Sequence, residues 1–267
     1  MQTWTRLGHS EKDNMFAYGR IYKMKKLLGI VVLGLLFSFN VEAASYVFKD
    51  SLFTDCDVIT KKDPTSFQTL TYVEKKLIWS MDRRGGVQPN DHFIFKAKFK
   101  KGNDIPIRVN AEFKTKEKAE KQAIKYAKIV GQIPYFLKEN IFKVNIHKGN
   151  KPWGGGNRIT IHTGDRGTKG KWKKCVEEIM IHEAGHGLSS FSSWMTAQEA
   201  DNKFISKYAK DFPYREDISD TVLFWIAVRC KSDRISKSNY KKIIEAIPNR
   251  LKYLDEQNYD MHPLVCK

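Results

Sequence analysis

Residues 182–186 read His-Glu-Ala-Gly-His, and that spacing constrains the fold more than any other feature of the chain. Two imidazoles four residues apart share a face only on a helix, where positions i and i+4 lie one turn from each other. The lead-in Val176-Glu177-Glu178-Ile179-Met180-Ile181 has good helical character. Two side chains do not complete a binding site. The fold must therefore carry a third group from a distant part of the chain to this helix and leave room beside Glu183.

Two neutral imidazoles and a carboxylate suit a single Zn²⁺ ion, with a fourth position open for a water whose pKa falls towards about 7. His182 and His186 are the expected metal ligands, and Glu183 the general base that takes the water's proton. The residues that follow, Gly187-Leu188-Ser189-Ser190-Phe191-Ser192, lack the glycine and third histidine of the H-E-x-x-H-x-x-G-x-x-H pattern. The third ligand must come from further on. Residues 213–229 predict an amphipathic helix with Pro213 near its start and Ile218, Val222, Trp225, Ile226 and Arg229 on one side. Glu216 and Asp220 stand one turn apart on that helix, so one can bind the ion while the other accepts a hydrogen bond from a ligand histidine. Asp217 reads as a charge that favours the helix amino terminus.

The rest of the chain predicts an α+β domain. Alternation of Phe93, Phe95, Ala97 and Phe99, then of Ile105, Ile107 and Val109 after a Gly102-Asn103 turn, marks a hairpin. Residues 116–130 place Ala119, Ala123, Tyr126, Ala127 and Val130 on one helical face and stop at Gly131. Strands are expected at 141–147 and 158–163, separated by a tightly turning loop with the tract Pro152-Trp153-Gly154-Gly155-Gly156; from Cys175 onward the chain reads as mainly helical. Residues 44–90 are expected to belong to the same domain as an amino-terminal cap. His162 reads as an ordinary strand histidine, with lining of the cleft as the lesser alternative.

The His182–His186 motif followed by S-K-Y-A-K-D-F-P-Y-R-E-D-I-S-D (206–220) resembles the gluzincin peptidases, in the layout of lethal-factor-type catalytic domains, where a tyrosine precedes an E-x-x-A-E helix. The wider frame resembles secreted proteins with zinc-peptidase domains in the Gly131-Gln132-Ile133-Pro134 helix end, the 154–164 stretch, the Ala197–Asp201 segment and the closing Tyr253-Leu254-Asp255. The resemblance implies a zincin-like fold, in which a small mixed sheet packs on the active-site helix and a mainly helical carboxy-terminal half follows. It also implies Glu216 as the zinc ligand, Asp220 as the carboxylate behind a ligand histidine, and Tyr208 as the hydroxyl that meets the oxyanion of the reaction. The chain departs from the pattern at Ser219-Asp220, where the family has Ala-Glu, so the shorter carboxylate is expected to reach less far.

Met24-Lys25-Lys26, the apolar run 27–39 and the small-residue ending at Ala43 predict a signal peptide at 24–43, with 1–23 as an upstream extension and a single domain over 44–267. The protein is thus expected to be secreted or periplasmic, with no membrane-spanning segment once the leader is removed. Four cysteines, Cys56, Cys175, Cys230 and Cys266, would then meet an oxidising compartment; three pairings are open, and Cys230 with Cys266 is favoured because it ties the chain end to a helix. Basic residues outnumber acidic ones 47 to 30, which admits an anionic surface partner, but no dense basic-aromatic array points to nucleic acid. Two functions follow: a zinc metallopeptidase acting on protein or peptide substrates, and a non-catalytic zinc-containing protein that binds anionic envelope polymers.

Overall fold

The computed structural model describes residues 44–50, 56–82, 86–164, 174–188 and 192–266; the expected leader and the segment before it lie outside these. Strand patterning builds the sheet. Phe93, Phe95, Ala97 and Phe99 are buried on one face of β3 (Gly86–Phe99), and antiparallel pairing sets Phe95 opposite Ile107 of β4 (Ile105–Asn110). Gly102, at φ +93°, makes the intervening turn in a conformation that side chains resist. Val144 and Ile146 on β5 (Lys143–His147) and Ile159 and Ile161 on β6 (Arg158–His162) extend the same apolar face. The five strands run in the order β2-β3-β4-β5-β6, with β2 (Phe67–Asp82) antiparallel to β3 and the last two parallel to β4. The small mixed sheet matches the α+β expectation.

The first long helix, α1 (Lys116–Val130), lies between β4 and β5 in sequence and packs on the sheet. The Thr115 hydroxyl caps it by accepting from the Lys118 backbone N–H. All five residues expected on its inner face are buried. A short α2 (Tyr135–Lys138) leads into β5.

The carboxy-terminal half comprises α3 (Val176–Gly185), α4 (Ser192–Asp201), β7 (Lys203–Ser206), α5 (Lys207–Asp211), α6 (Asp217–Cys230), α7 (Lys237–Ala246) and α8 (Pro248–Asp255). Three sequence expectations change here. Residues 44–90 are more than a cap, because β1 (Ser45–Phe48) pairs in parallel with β7 while β2 forms an edge of the main sheet. The helix expected from 213 starts at Asp217; residues 213–216 form a turn in which the N–H groups of Arg215 and Glu216 both reach the Phe212 carbonyl. Nor is α6 amphipathic: every residue from Asp217 to Val228 is buried, since α3, β7, α7 and α8 surround it.

Both disulfides grip the two central helices. Cys56 pairs with Cys175, immediately before α3, and Cys230, the last residue of α6, pairs with Cys266 as expected. In the chain-entropy account, links spanning 119 and 36 residues each remove on the order of 4–5 kcal/mol of unfolded-state freedom.

Glu178, on α3 one turn before His182, reinforces the first of these links. It is fully buried and accepts N–H groups from Val58 at 2.8 Å and Ile59 at 3.4 Å. Burial pushes its carboxyl up to about 8, outweighing the pull of those two donors. The folded state therefore holds a proton that the unfolded chain releases near the ordinary value of 4.5. The associated stability is fully present below that value and is lost as pH rises through about 8. Glu178→Gln should weaken this dependence: between pH 5 and 8.5 it is expected to lose on the order of 3 kcal/mol less than wild type in urea unfolding. Equal losses in the two proteins would show that Glu178 does not hold this proton.

Candidate metal centre

Gly185 and Ser219 set the geometry of the site. A Cβ on Gly185 would lie 2.9 Å from the Ser219 Cα and 3.3 Å from its Cβ, so only a glycine facing a small residue lets α3 and α6 approach this closely. That approach brings the amino-terminal end of α6 against the histidine face of α3. Glu216 stands at the N-cap position of α6, but its side chain caps nothing in the helix. Its Oε2 lies 3.4 Å from His182 Nε2 and 3.3 Å from His186 Nε2. The two rings meet edge to face at 88°, and one ligand atom from each of the three residues falls within 4.8 Å of the others. His182, His186 and Glu216 can thus hold a metal ion.

The buried Glu216 Oε2 makes the chemical fit specific. It faces two ring nitrogens and receives no hydrogen bond, an arrangement that is costly for a carboxylate oxygen unless positive charge sits beside it. The same demand appears in the titration of the cluster. Burial works against charging His182, but Asp220 and Glu216 outweigh it and lift its pKa to about 10. Burial likewise pushes Glu216 up, and the two imidazoles more than reverse this, bringing it well below the usual carboxylate range. Protons can supply the missing charge. A divalent cation shared by both Nε2 atoms and Oε2 supplies it at one point.

Behind His182, Asp220 Oδ1 lies 2.8 Å from Nδ1, an ion pair when the ring is protonated. The shorter carboxylate therefore reaches its histidine, because the close helix crossing removes the distance a longer side chain would span. The other oxygen, Oδ2, accepts from the Ser206 hydroxyl. Ser206 also caps α5 by accepting from the Ala209 N–H at 2.9 Å. One hydroxyl thus joins the support of His182 to the helix that carries Tyr208. The Tyr208 ring lies 6.4 Å from the His182 ring and packs edge to face on Phe212 at 5.3 Å. Burial, followed by the Glu216 charge, raises its pKa and keeps the hydroxyl protonated.

The histidines open onto a cleft of about 610 Å³ lined also by Glu183, Tyr208, Arg215, Glu216, Trp153 and Gly155. Gly155 comes so close to α3 that a Cβ there would lie 2.3 Å from the Glu183 carbonyl and 2.7 Å from its carboxylate. The Gly156 N–H donates to the same carbonyl at 2.7 Å, and Gly154 bridges Thr160 of β6 in both directions. The glycine tract therefore turns tightly, as expected, and forms one wall of the cleft itself. His162 supports that wall from behind and does not line the cleft; it is buried on the edge strand beside His147, with its Nδ1 3.1 Å from the Pro152 carbonyl and its own carbonyl accepting from Trp153 Nε1 at 3.2 Å.

Several residues that position the site carry no local sequence signal. Arg250, fully buried, pairs with Asp201 at 2.9 Å, with Asp217 and with the Lys203 carbonyl. Gln198 donates to Asp217 at 2.8 Å and to the Pro213 carbonyl at 3.1 Å. Asp217 is thus the hub of a buried brace, and its charge does more than favour a helix end. Comparison of the chain with protein-family models, curated proteins and solved structures finds no significant match, so the site is interpreted from its own geometry. Removing the support behind the histidine should weaken metal binding without abolishing it. Asp220→Ala is expected to reduce zinc affinity roughly 10–100-fold, and Ser206→Ala to reduce it less, in competition titrations against a chromophoric chelator. Unchanged affinity in Asp220→Ala would remove this carboxylate from the site.

Proposed function

We propose that this chain is a zinc-dependent metallopeptidase of the gluzincin type, acting outside the cytoplasm with one zinc ion on His182, His186 and Glu216. The observation that carries this reading is the donorless Glu216 Oε2 between two imidazole nitrogens, at the floor of a cleft shared with Glu183. When bound, zinc lowers the pKa of a coordinated water towards about 7 and leaves one position open for it. Glu183, which lines the same cleft as the ligands, accepts the proton of that water and delivers it to the leaving amine. Tyr208, which lines the same cleft with its hydroxyl held protonated, donates to the oxyanion that develops as the carbonyl is attacked. The Pro152–Gly155 wall and the Tyr208–Arg215 side define a trough for an extended peptide.

The zincin-like frame of the proposal draws support from a mixed sheet followed by the motif helix and a largely helical half. Export draws support from the leader-like sequence at 24–43 and from two disulfides. No helix among the described residues is long and apolar enough to cross a membrane. The excess of basic residues suits acidic protein substrates or an anionic surface on which they are met.

Glu183→Gln tests the mechanism, because it removes the base while leaving the three ligands in place. Zinc content should stay at one per chain, and cleavage of a mixed peptide library, read by mass spectrometry, should fall roughly 10²–10⁴-fold. Cleavage at the wild-type rate would eliminate Glu183 as the base. If zinc-loaded wild type cleaved nothing and instead bound anionic polymers in a salt-sensitive way, the non-catalytic alternative would take its place.

A further inference from the structure

The two oxygens of Glu216 are treated differently. Oε2 points inward to both histidine Nε2 atoms. Oε1 accepts from Arg215 Nε at 2.6 Å. The Arg215 side chain is 63% exposed, against 4% for Glu216, so the guanidinium acts from the solvent side on a buried carboxylate. Its orientation is fixed locally. The guanidinium lies 4.8 Å from the centre of the Phe212 ring, and the 212–216 turn holds Arg215 and Glu216 next to each other on the Phe212 carbonyl.

We propose that Arg215 is a positioning residue that keeps Glu216 a one-oxygen ligand by occupying Oε1. This rests on reading His182, His186 and Glu216 as a metal centre. A carboxylate free to rotate about its last bond can place both oxygens on a cation, taking a further coordination position. In a tetrahedral site with three protein ligands, that position is needed by water or by the carbonyl of the substrate. A directed N–H on Oε1 opposes the rotation. It does so from the solvent-exposed rim of the cleft that Arg215 helps to line. The hydrogen bond, rather than the positive charge alone, carries this role, because only a fixed donor selects one oxygen over the other.

Cobalt substituted into the full-length protein provides the test, because visible absorption by Co²⁺ is strong in four-coordinate sites and weaker in five-coordinate ones. Arg215→Ala removes the donor. Arg215→Gln places an amide N–H the same number of bonds from the backbone as the arginine Nε, without charge. Wild type and Arg215→Gln should both give the intense four-coordinate spectrum. Arg215→Ala should lose intensity at equal cobalt content, and in its zinc form kcat/KM should drop tenfold or more. An unchanged spectrum in Arg215→Ala, or a Gln variant that behaves like the Ala variant, would overturn the role given to Arg215 while leaving the metal centre standing. Failure of wild type to take up cobalt or zinc would overturn both.

Discussion

The contact between Gly185 and Ser219 is the constraint on which the site depends. At most helix crossings two side chains separate the backbones, and a glutamate on one helix then meets the outer half of a histidine on the other. Here a missing Cβ and a small hydroxymethyl let the backbones close. The consequences run in both directions along α6. At its start, Glu216 reaches the nitrogens of both imidazoles; one turn later, Asp220 reaches the back of the first. Both disulfides and the Glu178 contact fasten the ends of the same two helices, so the crossing is held where a small shift would separate the ligands.

Concentrating negative charge at one helix end has an electrostatic cost that the surroundings share. The amino terminus of α6 carries Glu216, Asp217 and Asp220 within two turns, and the helix dipole offsets only part of their repulsion. Each carboxylate has its own counter-group. Asp217 is neutralised from inside by Arg250, Glu216 is held from outside by Arg215, and Asp220 is set against His182 with the Ser206 hydroxyl behind it. The inner oxygen of Glu216 has only the two imidazole nitrogens facing it. A cation held by these three residues would complete the balance, and the group faces an open cleft.

Much of this was readable from residue patterns, and the failures have physical causes. The hairpin, α1 and the 182–186 helix were visible because each has one buried face, so apolar residues recur at the period of the element. The period-two signal is weak in β2: most of its residues are exposed, including Leu77, Trp79 and Met81, and two register shifts interrupt its pairing with β3. The start of α6 was misplaced because Pro213 suits a first helical turn as well as the tight turn it occupies. Its burial on all sides is hidden as well, since the polar residues Asp217, Ser219 and Thr221 break the apolar run and yet are fully buried. His182, His186, Glu216 and Asp220 stand out because their types and spacing are those a metal centre would require. Arg215, Ser206, Gly155 and Arg250 do not, because each acts through one contact that only the fold creates.

The account comes down to a single ion between three named atoms. Crystals of the protein measured on either side of the zinc absorption edge test this most directly. The account predicts one strong anomalous peak within bonding distance of His182 Nε2, His186 Nε2 and Glu216 Oε2, absent from crystals of Glu216→Ala grown in the same way. Zinc-equilibrated crystals with no peak there, or with a peak that persists at full height in Glu216→Ala, would contradict it.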